Sequence, residues 1–205
     1  MDEVPRSFEV QTGAGVAAVS RTRRSLPNGI WAMALFVATE AALFGAFIGT
    51  YWYLANRAPE WPPNGIAPPK AVLPLVLTGV LVLTMIPIVL AALAARRGRR
   101  GTAWGLVALA LPVQAGYLAW QILLYRDDLD RFSPDHSAYG SIYYLMVGAD
   151  HAHVGLGVLL DLWVLIRLAR GLNHYRAVTV QATAIYWVVV AAITIVVTLT
   201  QVSPS

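Results

Sequence analysis

Apolar runs long enough to cross a bilayer recur along almost the whole of this 205-residue chain, and few features leave a polypeptide less choice of fold. They fall at roughly Gly29–Asn56, Ala71–Ala95, Thr102–Tyr125, Gly140–Leu168 and Val178–Val202, with short polar connections between them. Hydrocarbon offers no partner to a bare peptide group, so each run must become a helix that satisfies its own backbone. Composition agrees: at 58% hydrophobic residues and a mean hydropathy of +0.60, the chain carries more apolar surface than one soluble domain could hide. The expectation is an all-α integral membrane bundle of five transmembrane helices over residues 29–205, preceded by a mobile cytoplasmic tail at 1–28. Met1 to Pro27 lacks the apolar core of a secretory signal. An uneven number of spans and the absence of an internal repeat argue against an inverted-repeat transporter.

The net charge of +4 is explained by where the charges sit rather than by a nucleic-acid partner. Arg6, Arg21, Arg23 and Arg24 precede the first span, Arg96, Arg97, Arg99 and Arg100 follow the second, and Arg167, Arg170 and Arg176 flank the fourth loop. These positions share one side of the membrane. Arg57, Lys70, Arg126 and Arg131 fall on the other, where Asp127, Asp128, Asp130 and Asp135 offset them. The positive-inside rule then puts the N-terminus in the cytoplasm and the C-terminus outside.

Ionisable groups inside such spans are costly, so each one raises a question of function. Glu40 lies in the first span at about 13 Å from its cytoplasmic end at Trp31, and His153 about 15 Å into the fourth from Tyr143, at 1.5 Å rise per residue. Both therefore reach similar depth, where a hydrogen bond between them would offset the cost that each carries alone. The alternative is a protonated Glu40 bonded to a backbone carbonyl. With Asp150 set to zero and about 100° per residue, His153 falls near −60°, Gly157 near −20° and Asp161 near +20°, while His151 stands apart near +100°. Asp150, His153, Gly157 and Asp161 thus form one stripe, suited either to relaying protons or to joining helices. Gly157 would admit a neighbouring helix, and Ala41, Gly45 and Gly49 in the first span provide a matching seam of small residues.

Histidines in a membrane bundle invite a metal or haem reading, which the spacing opposes. His151 and His153 are two residues apart and point nearly opposite ways on a helix, while His136 and His174 are expected in loops. With no cysteine, the chain also has no thiolate for iron-sulfur or copper sites and no disulfide. Pro87 and Pro112 should kink the second and third spans. Gln114 and Gln121 are expected to bond across helices, and Trp31, Trp52, Tyr53, Trp104, Tyr125 and Tyr143 to form an interfacial aromatic belt. The Arg96 to Arg100 cluster sets topology and suits anionic headgroups.

Five markers in order carry a family resemblance: ATEAALFGAF around Glu40, EWPPNGI at Glu60 to Ile66, LPLVLT at Leu73 to Thr78, AYGSIYYLMVGADHAHVGLG at Ala138 to Gly157, and the Tyr186-Trp187 pair. From about Trp31 to Trp187 the chain resembles subunit III of the haem-copper terminal oxidases, in the short five-helix bacterial form without the two N-terminal helices of longer members. Glu40 matches the intramembrane glutamate of that family, and His153 the second histidine of its Gly-x-His-x-x-His-Val motif. Departures are visible as well. Asp150 stands for the first motif histidine, Val188 and Ala191 stand where the family's Tyr-Trp-His-Phe-Val-Asp signature has His and Asp, and Gln114 with Tyr117 replaces its Glu-Tyr pair.

The resemblance implies a non-redox accessory subunit in aerobic respiration. Haem and copper would reside in partner subunits I and II, and this chain would bind no cofactor beyond phospholipid. It would pack on subunit I of a cytochrome c or quinol oxidase, support proton uptake and turnover stability, and sit multi-pass in the bacterial cytoplasmic membrane. Subunit IV and a respiratory supercomplex are further candidate partners. The same fold would suit an accessory subunit of a nitric oxide reductase, and the intramembrane residues Glu40, Asp150, His153 and Asp161 would suit an independent proton or ion carrier.

Overall fold

A computed structural model describes residues 28–63, 65–66 and 71–203. Residues 1–27 of the tail expected at 1–28, with its arginines, and Asn64 and Lys70 in the first loop, lie outside the described residues, while Asn28 already opens the first helix. Helices account for the spans: α1 (Asn28–Ala55), α2 (Val72–Leu83), α3 (Met85–Arg96), α4 (Arg100–Leu129), α5 (Ala138–Ala169) and α6 (His174–Val202). Since α2 and α3 run on as one crossing, 5 segments among the described residues are long and apolar enough to span a membrane. Their ends fall within a few residues of the apolar runs. His174, expected in a loop, opens α6.

The second span breaks at Thr84, three residues before Pro87. Proline has no N–H to offer the Leu83 carbonyl, and its ring crowds that carbonyl. The Thr84 hydroxyl turns back to donate to the Leu81 carbonyl at 2.6 Å, and Gln114 of α4 donates to the Thr84 oxygen at 3.2 Å. A polar side chain from the next span thus steadies the break. Pro112, by contrast, is carried within an unbroken α4.

Helix ends are closed by local chemistry. Ser137 caps α5 by accepting from the Gly140 N–H at 3.0 Å, and Asn173 caps α6 by accepting from the Arg176 N–H at 2.9 Å. Gly98, at φ 73, ends α3 in a Schellman turn, with Gly98 N–H to the Ala95 carbonyl and Arg99 N–H to the Ala94 carbonyl. Arg100 then reaches across to the last carbonyls of α5, Leu168 at 2.7 Å and Ala169 at 2.6 Å. A cation there meets the negative end of that helix.

α6 is the centre of the bundle: it packs on α1, α2, α3 and α5, while α4 closes against α2, α3 and α5. Half of the most apolar stretch of α6 is buried, 50% against 6% for α1, which among the described helices packs on α5 and α6 alone. Outward-facing leucines such as Leu35, Leu83, Leu109 and Leu159 are each more than half exposed, a surface suited to lipid and to no aqueous phase. Trp31, Tyr53 and Trp104 join them at the margins, as a belt should. Tyr143 does not: it is buried in an aromatic cluster with Tyr51, Tyr139 and Tyr144 at one end of the bundle, where Phe132 and Trp61 fold over it. Gly140 is required in that cluster, because a Cβ there would lie 2.5 Å from the Ser133 carbonyl oxygen of the adjoining loop.

Candidate functional site

Glu40 and His153 meet. The His153 Nε2 lies 2.7 Å from Glu40 Oε2, across the α1–α5 contact, and both side chains are mostly buried at 14% and 16% exposed. The other ring nitrogen, Nδ1, lies 2.7 Å from the Ala149 carbonyl oxygen one turn earlier. A carbonyl only accepts, so Nδ1 carries a hydrogen. One further proton then lies between Nε2 and the carboxyl, either donated by a protonated Glu40 to neutral imidazole or by imidazolium to carboxylate. The pair is electrically neutral in both arrangements, which is the form hydrocarbon tolerates.

Aromatic side chains seat this pair. Phe44, one turn beyond Glu40, sets its ring edge-on to the imidazole at 5.3 Å. Tyr186 of α6 donates its hydroxyl to the His153 carbonyl at 2.7 Å and stacks on Phe36 of α1 at 6.0 Å. Three helices are thereby joined at the level of the pair.

The remaining stripe residues turn to α6. Asp150, 3% exposed, accepts from the Thr194 hydroxyl at 2.7 Å. Asp161, fully buried, faces the indole of Trp187. Gly157 lies against that same ring: a Cβ there would sit 2.6 Å from Cζ2 of Trp187. The sequence expectation that Gly157 would receive the small-residue seam of the first span is therefore corrected. A broad indole on α6 takes up the space, while a Cβ built on Gly45 or Gly49 would meet nothing within 4 Å. Asp150, His153 and Asp161 share one helix face, yet they address two different helices.

His151, as its angle required, stands off the stripe, edge-on to Tyr125 of α4 at 5.6 Å. Gln114 does bond across helices, but Gln121 donates to Tyr117 on its own helix at 2.9 Å, the ordinary reach of an i, i+4 pair. Sequence reasoning missed the hydroxyls of Thr194 and Thr198 on α6 and of Thr78 on α2, of which the last two lie 2.8 Å apart. Their signal was present as Thr194, Thr198 and Gln201, recurring at helical spacing along an apolar span. Among the described residues, no group of three or more His, Asp or Glu side chains is disposed to hold a metal ion.

The fold and this interior define a class, multi-pass helical membrane proteins whose core holds a charge-neutral acid–imidazole pair. Comparison with known proteins narrows it. The family described as "Cytochrome c oxidase subunit III" matches residues 18–201. Similar proteins include the cytochrome bo(3) ubiquinol oxidase subunit 3 of Pseudomonas aeruginosa, 25% identical over 78% of this chain and 77% of its own length. The cytochrome c oxidase subunit 3 of Bacillus subtilis is 27% identical over 78% and 76%. That of Paracentrotus lividus is 31% identical over 78% of this chain but only 64% of its own length. The chain belongs to the cytochrome c oxidase subunit III family.

Proposed function

We propose that this chain is the accessory, non-redox subunit III of a proton-pumping haem-copper terminal oxidase in a bacterial cytoplasmic membrane. The family match across residues 18–201 carries this reading. Relatives named for both ubiquinol and cytochrome c oxidases lie at similar distance, so the function proposed is common to both donors. Haem and copper belong to partner subunits I and II, and this chain packs on subunit I.

The N-terminus lies on the cytoplasmic side. Arg96, Arg97, Arg99 and Arg100 adjoin Arg167 and Arg170 at one end of the bundle, drawn together by the Arg100 bonds to α5, while Asp127, Asp128 and Asp130 sit at the other. Phospholipid binds the chain as well. An apolar groove of about 490 Å³ between α3 and α6, walled by Val89, Leu93, Ile185 and Val188 and rimmed by Arg96, has the shape for an acyl chain beneath an anionic headgroup.

The Glu40–His153 pair supports the proton-related part of the reading. It holds one proton between two basic atoms without net charge, a form that can persist beside a proton-pumping partner. The test is purification through a tag on this chain. Haem absorbance and co-eluting subunits I and II are expected; a solitary, colourless, stable oligomer refutes the assignment.

A further inference from the structure

A second polar region lies apart from the Glu40–His153 pair. A cavity of about 200 Å³ opens at the end of the bundle that carries the α4–α5 loop. Asp128, Arg131, Gln201 and Leu73 stand at its mouth, near the ends of α4, α6 and α2; deeper in, its wall is Gln121, His151, Thr198 and Asp150. Asp150 lies 12 residues beyond the first residue of α5, about 18 Å along the helix, so the cavity reaches well into the bundle.

Water is the occupant that this lining favours. Each molecule needs on the order of 30 Å³ and two to four polar partners, whereas apolar cavities stay dry. The space holds several waters, and carboxyl, amide, hydroxyl and imidazole groups line it together with the apolar side chains of Leu124, Val147 and Val197. A buried carboxyl whose fixed partner is one threonine hydroxyl keeps acceptor capacity for such a water. The groups around Asp150 are Tyr117 of α4, Thr194 and Tyr186 of α6, and His153 on its own helix, with Asp128 and Arg131 the charges at the mouth. Neither Glu40 nor His153 lines the cavity.

We propose that this cavity is a water-filled vestibule through which Asp150 exchanges protons with the aqueous phase at the α4–α5 loop face. In the exchange the carboxyl O–H bond breaks, its electron pair stays on the carboxylate oxygen, and the proton leaves as hydronium. The reverse step reloads the acid. The vestibule serves Asp150, and the Glu40–His153 proton is held beyond it.

The absence of native cysteine permits a direct test in the full chain within its native membrane assembly. Leu124→Cys and Thr198→Cys place a thiol on the cavity wall, His136→Cys on the exposed loop, and Leu123→Cys on the lipid-facing side of α4. Only a hydrated thiol ionises readily, so a membrane-impermeant sulfonated thiosulfonate should modify both wall positions at least about ten times faster than Leu123→Cys. It should do so only from the face at which His136→Cys reacts. In the same samples, the infrared carboxyl band lost on Asp150→Asn, which keeps an oxygen for Thr194, should shift on exchange into D₂O at that face. Wall thiols no faster than Leu123→Cys, reaction from the opposite face, or a band that does not exchange would each overturn the proposal.

Discussion

An acid and an imidazole that share one proton are as neutral after the proton moves as before, and this governs how Glu40 and His153 respond to substitution. Glu40→Gln keeps the bond, because the new amide can donate to a neutral Nε2 whose partner nitrogen already donates to Ala149. Assembly is expected to survive while proton-coupled turnover falls. Glu40→Ala leaves a buried imidazole nitrogen unpaired and should cost about 1–3 kcal/mol of stability besides. Oxygen consumption and thermal melting of the purified assembly check both; wild-type turnover in the two variants would remove any role for the pair. His153→Ala should likewise exceed His151→Ala, whose ring makes an edge-on aromatic contact worth about 0.5–1.5 kcal/mol. Gly157→Ala forces a methyl group into Trp187, and about 1–3 kcal/mol of destabilisation is expected from overpacking. A melting temperature unchanged in Gly157→Ala would show that the indole moves freely. At this scale the sequence was legible where depth and angle sufficed, as for Glu40 opposite His153. It was illegible where a side chain's shape decides: nothing in the spacing of Gly157 distinguishes an incoming helix backbone from an incoming indole.

Within single elements, the helix ends repay attention. Arg100 belongs to α4 by sequence yet closes α5 with two bonds to its terminal carbonyls. Arg100→Ala should lower stability by about 0.3–1 kcal/mol, the range for a cation at an exposed helix C-terminus, and rising salt should shrink the difference. Denaturant titration at low and high ionic strength checks it; an equal loss at both would point to packing rather than charge. Span limits were readable because apolar length and bilayer thickness are matched. The prolines were half readable. Pro87 and Pro112 look alike in sequence, but only the first breaks its helix, at Thr84, whose hydroxyl turns back to the Leu81 carbonyl and accepts from Gln114. That support comes from another span, so no local reading of α2 and α3 could weigh it.

For the molecule as a whole, the disposition of charge makes the topology testable. Single cysteines at Arg97, in the α3–α4 turn, and at His136, in the α4–α5 loop, should react with an impermeant thiol reagent from opposite faces, Arg97→Cys from the cytoplasmic one. Labelling from the same face would refute the five-span arrangement. The order of spans in the chain was legible from composition, but their neighbours were not: that α6 sits centrally and α1 at the margin follows from packing that apolar residues alone leave unspecified.

The marginal place of α1 bears on how the protein comes into being. Glu40 and His153 stand 113 residues apart, and at about 5–20 residues per second a ribosome needs on the order of 6–20 seconds to deliver the second after the first. During that delay the first span waits in or beside the insertion machinery with an acid that has no imidazole to meet. Arrival of the fourth span ends the wait, so seating of the first helix is timed by synthesis of a distant one, and a stalled chain that stops short of His153 is left with an unlatched helix for quality control to find.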